Sequence, residues 1–85
     1  MPAISRFFGI VIAIQYRDHE PPHFHATYGE HEISVDMRDG SVTGRFPSRA
    51  LRLVEEWRTL HQEALIENWH LARNRRQLKP VAPLE

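Results

Sequence analysis

Phe8-Gly9-Ile10-Val11-Ile12-Ala13-Ile14-Gln15-Tyr16 is the stretch that decides the fold. Phe8, Ile10, Ile12, Ile14 and Tyr16 share one side and Gly9, Val11, Ala13 and Gln15 the other, a period of two with β-branched enrichment that reads as a half-buried strand. Arg17-Asp18-His19-Glu20-Pro21-Pro22 ends it, because two prolines donate nothing to a ladder and Glu20, ahead of proline, is held extended. An apolar face resumes at Phe24, Ala26 and Tyr28; Gly29-Glu30 can turn the chain, and Ile33, Val35 and Met37 return it as a hairpin. Asp39-Gly40 suits a two-residue type I′ turn, whose central positions need positive φ, so Val42 is expected to pair back onto Met37. The result is a meander with one greasy face, and such a sheet needs a cover.

Helices supply it. After Phe46-Pro47, Ser48 can cap a helix whose apolar stripe is Ala50, Leu53, Val54, Trp57 and Leu60, with Arg49, Arg52, Glu55, Glu56 and Arg58 opposite. Ala64, Leu65, Trp69 and Ala72 form a second stripe, and Thr59-Leu60-His61-Gln62 fits a capping box that opens a second helix. One uninterrupted helix of about 27 residues would reach about 40 Å and overhang so small a sheet, which favours two. Trp57 and Trp69 fall inside the stripes and read as core. The expected class is α+β: an antiparallel meander of three to four strands over residues 5–45, covered on one face by two helices over 48–75, with an extended tail over 76–85. Pro80 and Pro83 forbid helix in that tail.

A length of 85 residues leaves room for one domain with one small core, and 41% hydrophobic with 26% charged residues is a globular balance. The absence of cysteine excludes disulfides, thiolate metal sites and Cys nucleophiles. Ile10–Ile14, the longest apolar run, is far short of the ~18 residues a membrane span needs, and no signal peptide precedes it, so a cytoplasmic protein without a membrane partner is expected. Eleven basic and eleven acidic residues cancel, yet residues 1–44 hold three Arg against six carboxylates while 45–85 hold eight Lys/Arg against five, which makes the chain a charge dipole. Arg outnumbers Lys ten to one, a balance that suits planar contacts to phosphate or carboxylate.

Four of six histidines, His19, His23, His25 and His31, crowd around Pro21-Pro22-His23-Phe24-His25. In a strand His23 and His25 point to the face opposite Phe24, away from the helices. With a turn at Gly29-Glu30, His25 opposes Ser34 and His23 opposes Asp36, which assembles His23, His25 and Asp36. Three readings compete. As a metal site these three offer nitrogen and oxygen ligands to a divalent zinc, nickel or copper ion; His19, four residues upstream through two prolines, lies about 12 Å from His23 unless a turn or cis bond intervenes. As a metal-independent ribonuclease, His23 and His25 serve as base and acid, Asp36 orients one ring, and Arg17 or Arg45 holds phosphate. As plain strand residues, the rings pack over neighbours and bond Asp36, Glu32 or backbone. The run Arg73, Arg75, Arg76 and Lys79 is a candidate surface for nucleic acid or a protein partner, weighed against a solvated helix end.

The opening Met1–Ile10, the Asp18–Ala26 block and the Arg49–Trp57 helix resemble one family, domain of unknown function 4160. The resemblance extends through Glu67-Asn68-Trp69 and Pro83-Leu84-Glu85, and His19, Pro21, Pro22, His23 and His25 match the family motif. It implies a small bacterial or archaeal cytosolic protein, often encoded beside a second small protein in a toxin–antitoxin-like arrangement, and it leaves activity open. The leading expectation is therefore a component of such a two-gene module. It would bind the neighbouring gene's small protein, with RNA as a further partner and self-association compatible with its size. No cofactor is expected beyond the divalent metal of the first histidine reading.

Overall fold

The structure, a computed structural model, describes residues 2–85. The chain runs β1 (Ala3–Phe7), β2 (Ile10–Ala13), β3 (His23–Tyr28), β4 (His31–Asp36), β5 (Val42–Gly44), α1 (Ser48–Leu60) and α2 (Gln62–Arg73). The five strands form one antiparallel sheet in sequence order, so each pairs with its neighbour in the chain. The α+β meander with two C-terminal helices is as expected, with one strand more.

The extra strand comes from the deciding stretch itself. Phe8 (φ 50°) and Gly9 (φ 81°) form a two-residue turn that pairs Phe7 with Ile10, so the strand begins at Ile10. Ile10, Ile12 and Ile14 keep the period of two and are fully buried, while Phe8 at the turn is 60% exposed. A bulge between Ala3 and Ser5 buries both Ile4 and Ser5, which erases the alternation that would have announced β1. The β4–β5 connection is also longer than a two-residue turn. Val42 pairs with Val35, because Asp36 accepts the Arg38 amide at 2.7 Å and Asp39 the Ser41 amide at 2.8 Å, two local turns in series.

Both helices lie on the face formed by Ile12, Phe24, Ala26, Ile33 and Val35. Trp57 fills the centre, with ring centroids 5.4 Å from Phe7 and 5.8 Å from Phe24. Trp57 and Trp69 are core, as their spacing suggests. The helices break at His61 (φ −123°, ψ 27°), whose amide bonds back to Trp57 and Arg58. No capping box forms there: the Thr59 hydroxyl donates to the Glu56 carbonyl inside α1. At the other end Pro47 occupies the cap position and Ser48 is already helical. Leu60, assigned to the stripe, is exposed, whereas Arg58 from the polar row is buried and donates to Glu55 and to the Met37 carbonyl.

α2 closes with Arg75 at φ 57°, its amide bonding Ala72 and the Arg76 amide bonding Leu71, a left-handed cap without glycine. The tail then docks. Val81 donates to the Ile4 carbonyl on the outer edge of β1, the Trp57 indole donates to Ala82, and Val81 and Leu84 are buried. Among the described residues no helix is long and apolar enough to cross a membrane.

Candidate metal centre

The alternation of β3 decides which way its side chains face. Phe24 and Ala26 are fully buried under the helices, while His23 and His25 stand on the other face with ring centroids 5.2 Å apart. The register is the expected one, His23 opposite Asp36 and His25 opposite Ser34.

The carboxylate beside the rings, however, is Asp18. Asp18 comes from the connector between β2 and β3, which α2 straps down. The Arg17 amide donates to the Ala72 carbonyl near the helix end, and the Arg73 guanidinium reaches the Asp18 carbonyl and the Glu20 carboxylate. The Trp69 indole donates to the same Glu20 oxygen, and its ring lies 5.3 Å from His23. The strap leaves Asp18 Oδ2 2.9 Å from His23 Nε2 and 3.6 Å from His25 Nε2. All three side chains are largely shielded from solvent. One donor atom from each of Asp18, His23 and His25 lies within 4.8 Å of the other two.

Hydrogen-bond logic fixes what these atoms can be. His23 Nδ1 is 2.8 Å from the Pro21 carbonyl oxygen, which only accepts, so Nδ1 carries a proton. A neutral ring then presents the Nε2 lone pair to a carboxylate oxygen, and two acceptors face each other unless a cation lies between them. Among the described residues His25 Nε2 is buried with no hydrogen-bond partner. Its Nδ1 faces the Glu32 carboxylate at 3.6 Å. Burial by itself would raise the Asp18 carboxyl. The His19 amide at 2.9 Å and the His23 and His19 rings outweigh burial and hold it below the usual carboxylate range. Asp18 is thus kept as an anion where two imidazole nitrogens converge.

Of the other sequence candidates only His19 joins the cluster. The Asp36 carboxylate, although in register with His23, turns to the Arg38 guanidinium and the Arg38 and Asp39 amides. The Glu20–Pro21 peptide is cis, and the His19 ring sits 5.7 Å from that of His23 rather than a full extended connector away, with Nδ1 3.0 Å from Asp18 Oδ1. Arg17 enters the connector with φ 57°, and Arg45 lies just beyond β5, two strands from β3; among the described residues no hydrogen bond or ion pair brings either side chain to the rings. The basic run is divided: Arg73 serves the strap, Lys79 pairs with Glu67 at 2.6 Å, and Arg75 and Arg76 form the helix cap. Asp18 escaped sequence reasoning because no periodicity governs a connector, although its place in the Asp18–His25 block was a signal within reach.

A family model described as a domain of unknown function, DUF4160, matches residues 9–70. The chain belongs to the DUF4160 family. No curated protein and no solved structure matches it. In this DUF4160 chain the matched region contains Asp18, His19, His23, His25 and Glu32, so the whole cluster lies within the family's domain.

Proposed function

We propose that the protein binds one divalent transition-metal ion through Asp18 Oδ2, His23 Nε2 and His25 Nε2. The observation that carries this reading is the convergence of two imidazole nitrogens on one carboxylate oxygen, with the buried His25 Nε2 lacking a hydrogen-bond partner among the described residues. A proton between His23 and Asp18 would satisfy that pair alone, whereas a single cation satisfies all three atoms. The outer contacts suit the same reading. The Pro21 carbonyl holds His23 in the tautomer that leaves Nε2 available, and Glu32 faces His25 Nδ1, the arrangement by which metal-bound histidines are oriented and made more basic. Two histidines and a carboxylate suit zinc, nickel, cobalt or iron(II), and three protein ligands leave a coordination position for an outside molecule.

The paired histidines of the ribonuclease reading are adjacent, but their surroundings favour a cation over phosphate. Asp18 and Glu32 flank the rings, and the nearby cations Arg38 and Arg73 are already held by Asp36 and Glu20. A toxin–antitoxin-like gene pair is compatible with such a centre. Co-purification with the neighbouring gene's product tests it separately, and two stable monomers that do not associate would remove it.

Metal analysis of untagged protein purified without chelator tests the main reading. About one equivalent is expected in wild type and in Asp36→Asn, with loss of at least about tenfold in affinity for added Zn²⁺ in Asp18→Asn and in His25→Ala. Less than about 0.1 equivalent, with no visible-range spectrum on adding Co²⁺, would overturn it.

A further inference from the structure

The turn between β1 and β2 faces the start of α1 across a groove of about 310 Å³. Phe8 and Tyr28 line one side and Pro47, Ala50 and Leu53 the other, with Arg49 the charged member of the lining. Phe8 is 60% exposed and holds φ 50°, at a turn position that favours Asn, Asp or Gly. A large aromatic ring there opposes both local backbone preference and solvation, and the fold's own core does not use it.

Charge around the groove is unbalanced in one direction. α1 opens with no acidic residue in its first turn and no side-chain cap, so its amides present the positive end of the helix dipole without a counter-charge. Arg45, Arg49 and Arg52 cluster within about a turn of that end. Among the described residues none of the three has a carboxylate within ion-pair distance, a state they share with Arg6, Arg17, Arg75 and Arg76, whereas Arg38, Arg58, Arg73 and Lys79 each hold one. The first carboxylate of the helix, Glu55, is taken by Arg58. Arg49 in the groove's lining, Arg45 just ahead of the helix and Arg52 one turn along it thus set unpaired guanidiniums around a helix N-terminus and an apolar groove, on a chain whose net charge is zero.

We infer that this groove docks an acidic segment of a partner polypeptide, with one bulky apolar side chain seated between Phe8 and Leu53 and its carboxylates on Arg45, Arg49 and Arg52. Guanidinium forks match carboxylates in planar, paired bonds, and aromatic walls around an anchor are what concentrates binding energy at interfaces. Single-stranded nucleic acid would need open ring faces along a cationic track. Here the Tyr28 ring is engaged by Phe46 in a T-shaped contact at 6.1 Å, and the slot's lining holds one cation, Arg49, among apolar side chains rather than a cationic track, which favours polypeptide. The inference shares no residue with the metal centre and stands or falls independently of it.

Panning a phage-displayed random dodecapeptide library against the wild-type protein, then measuring the consensus peptide by fluorescence anisotropy, tests this surface. The expected consensus is rich in Asp and Glu around one Leu, Phe or Trp. Its affinity should fall at least about tenfold in Arg49→Glu and in Phe8→Asn. Phe8→Asn creates the Asn-Gly pair this turn favours, so its melting temperature should match or exceed wild type while binding is lost. A consensus without acidic residues, or one bound equally well by both variants, would overturn the inference. So would failure to select any peptide, whether or not the protein binds a (U)12 oligonucleotide through Arg49. Should Phe8→Asn melt lower than wild type, Arg49→Glu, an exposed change that spares the turn, decides.

Discussion

His23 and His25 were legible because two residues one apart in a strand must share a face, and the apolar Phe24 between them says which face that is. Asp18 was not, because a connector has no period and its course here depends on contacts 55 residues away, Arg73 to the Asp18 carbonyl and the Arg17 amide to Ala72. Asp36, assigned to the rings from its register alone, shows the limit of register: pairing places a Cβ, while the carboxylate goes to its best donors. Those donors are the Arg38 amide and guanidinium and the Asp39 amide. Burial alone would raise the Asp36 carboxyl, but these bonds, led by the Arg38 guanidinium, win and hold it below its ordinary value. A group lowered on folding adds stability above its unfolded pKa of about 3.9 and loses it as pH falls through the lower folded value. Asp36→Ala should therefore cost about 1 to 2 kcal/mol at pH 7. In urea titrations the gap to wild type should stay constant down to about pH 5 and narrow below about pH 4; a gap that widens on acidification would reverse the sign of this assignment.

At the scale of elements, apolar period gave β2, β3 and β4 and both helical stripes, since each of these buries one face against the same core. It failed where local geometry breaks period: the bulge that hides β1, the Phe8-Gly9 turn, and the two consecutive aspartate turns after β4. Arg58 is the instructive member of α1. It lies on the row read as solvated, yet it is 7% exposed because the β4–β5 loop leaves carbonyls pointing at the helix. Its guanidinium meets the Met37 carbonyl at 3.1 Å and pairs with Glu55, and Gln62 at the start of α2 donates to the same Met37 carbonyl at 3.1 Å and to Arg38. The two helices thus share one set of acceptors. Arg58→Met keeps the buried stem but removes the donors, and about 1 to 3 kcal/mol should be lost. Gln62→Met alone should cost less, because Arg58 still serves Met37. The double variant should lose more than the sum by at least about 0.5 kcal/mol, since only then is the carbonyl left without a donor. Strict additivity in a chemical-denaturation cycle would show that the helices do not share this anchor.

For the molecule as a whole the decisive element is the last one, which composition alone presents as a loose tail. Two prolines keep residues 80–83 extended, so the segment cannot fold on itself and is free to lie along β1, where Val81 closes an open sheet edge with its bond to Ile4. It also completes the core from outside the sheet and the helices. Val81 and Leu84 are buried, the Trp57 indole finds its acceptor at Ala82, and the Asn68 side chain, 1% exposed, is satisfied among the described residues only by the Lys79 backbone, through bonds of 2.9 Å and 2.7 Å. Burying a Val or Leu side chain contributes about 1.5 to 3 kcal/mol, and a buried amide stripped of its partners costs about 1 to 3 kcal/mol. A domain of this size has only about 4 to 13 kcal/mol in all. Deletion of residues 78–85 should therefore remove most of the net stability and leave a chain that melts without a sharp transition or is unfolded at 37 °C by circular dichroism. Asn68→Leu in the truncated chain should recover part of the loss, because it removes the unsatisfied amide while filling the same space, whereas in the intact chain the same change should destabilise by severing the tail. A truncated protein that melts cooperatively within a few degrees of wild type would mean that sheet and helices are sufficient without the tail.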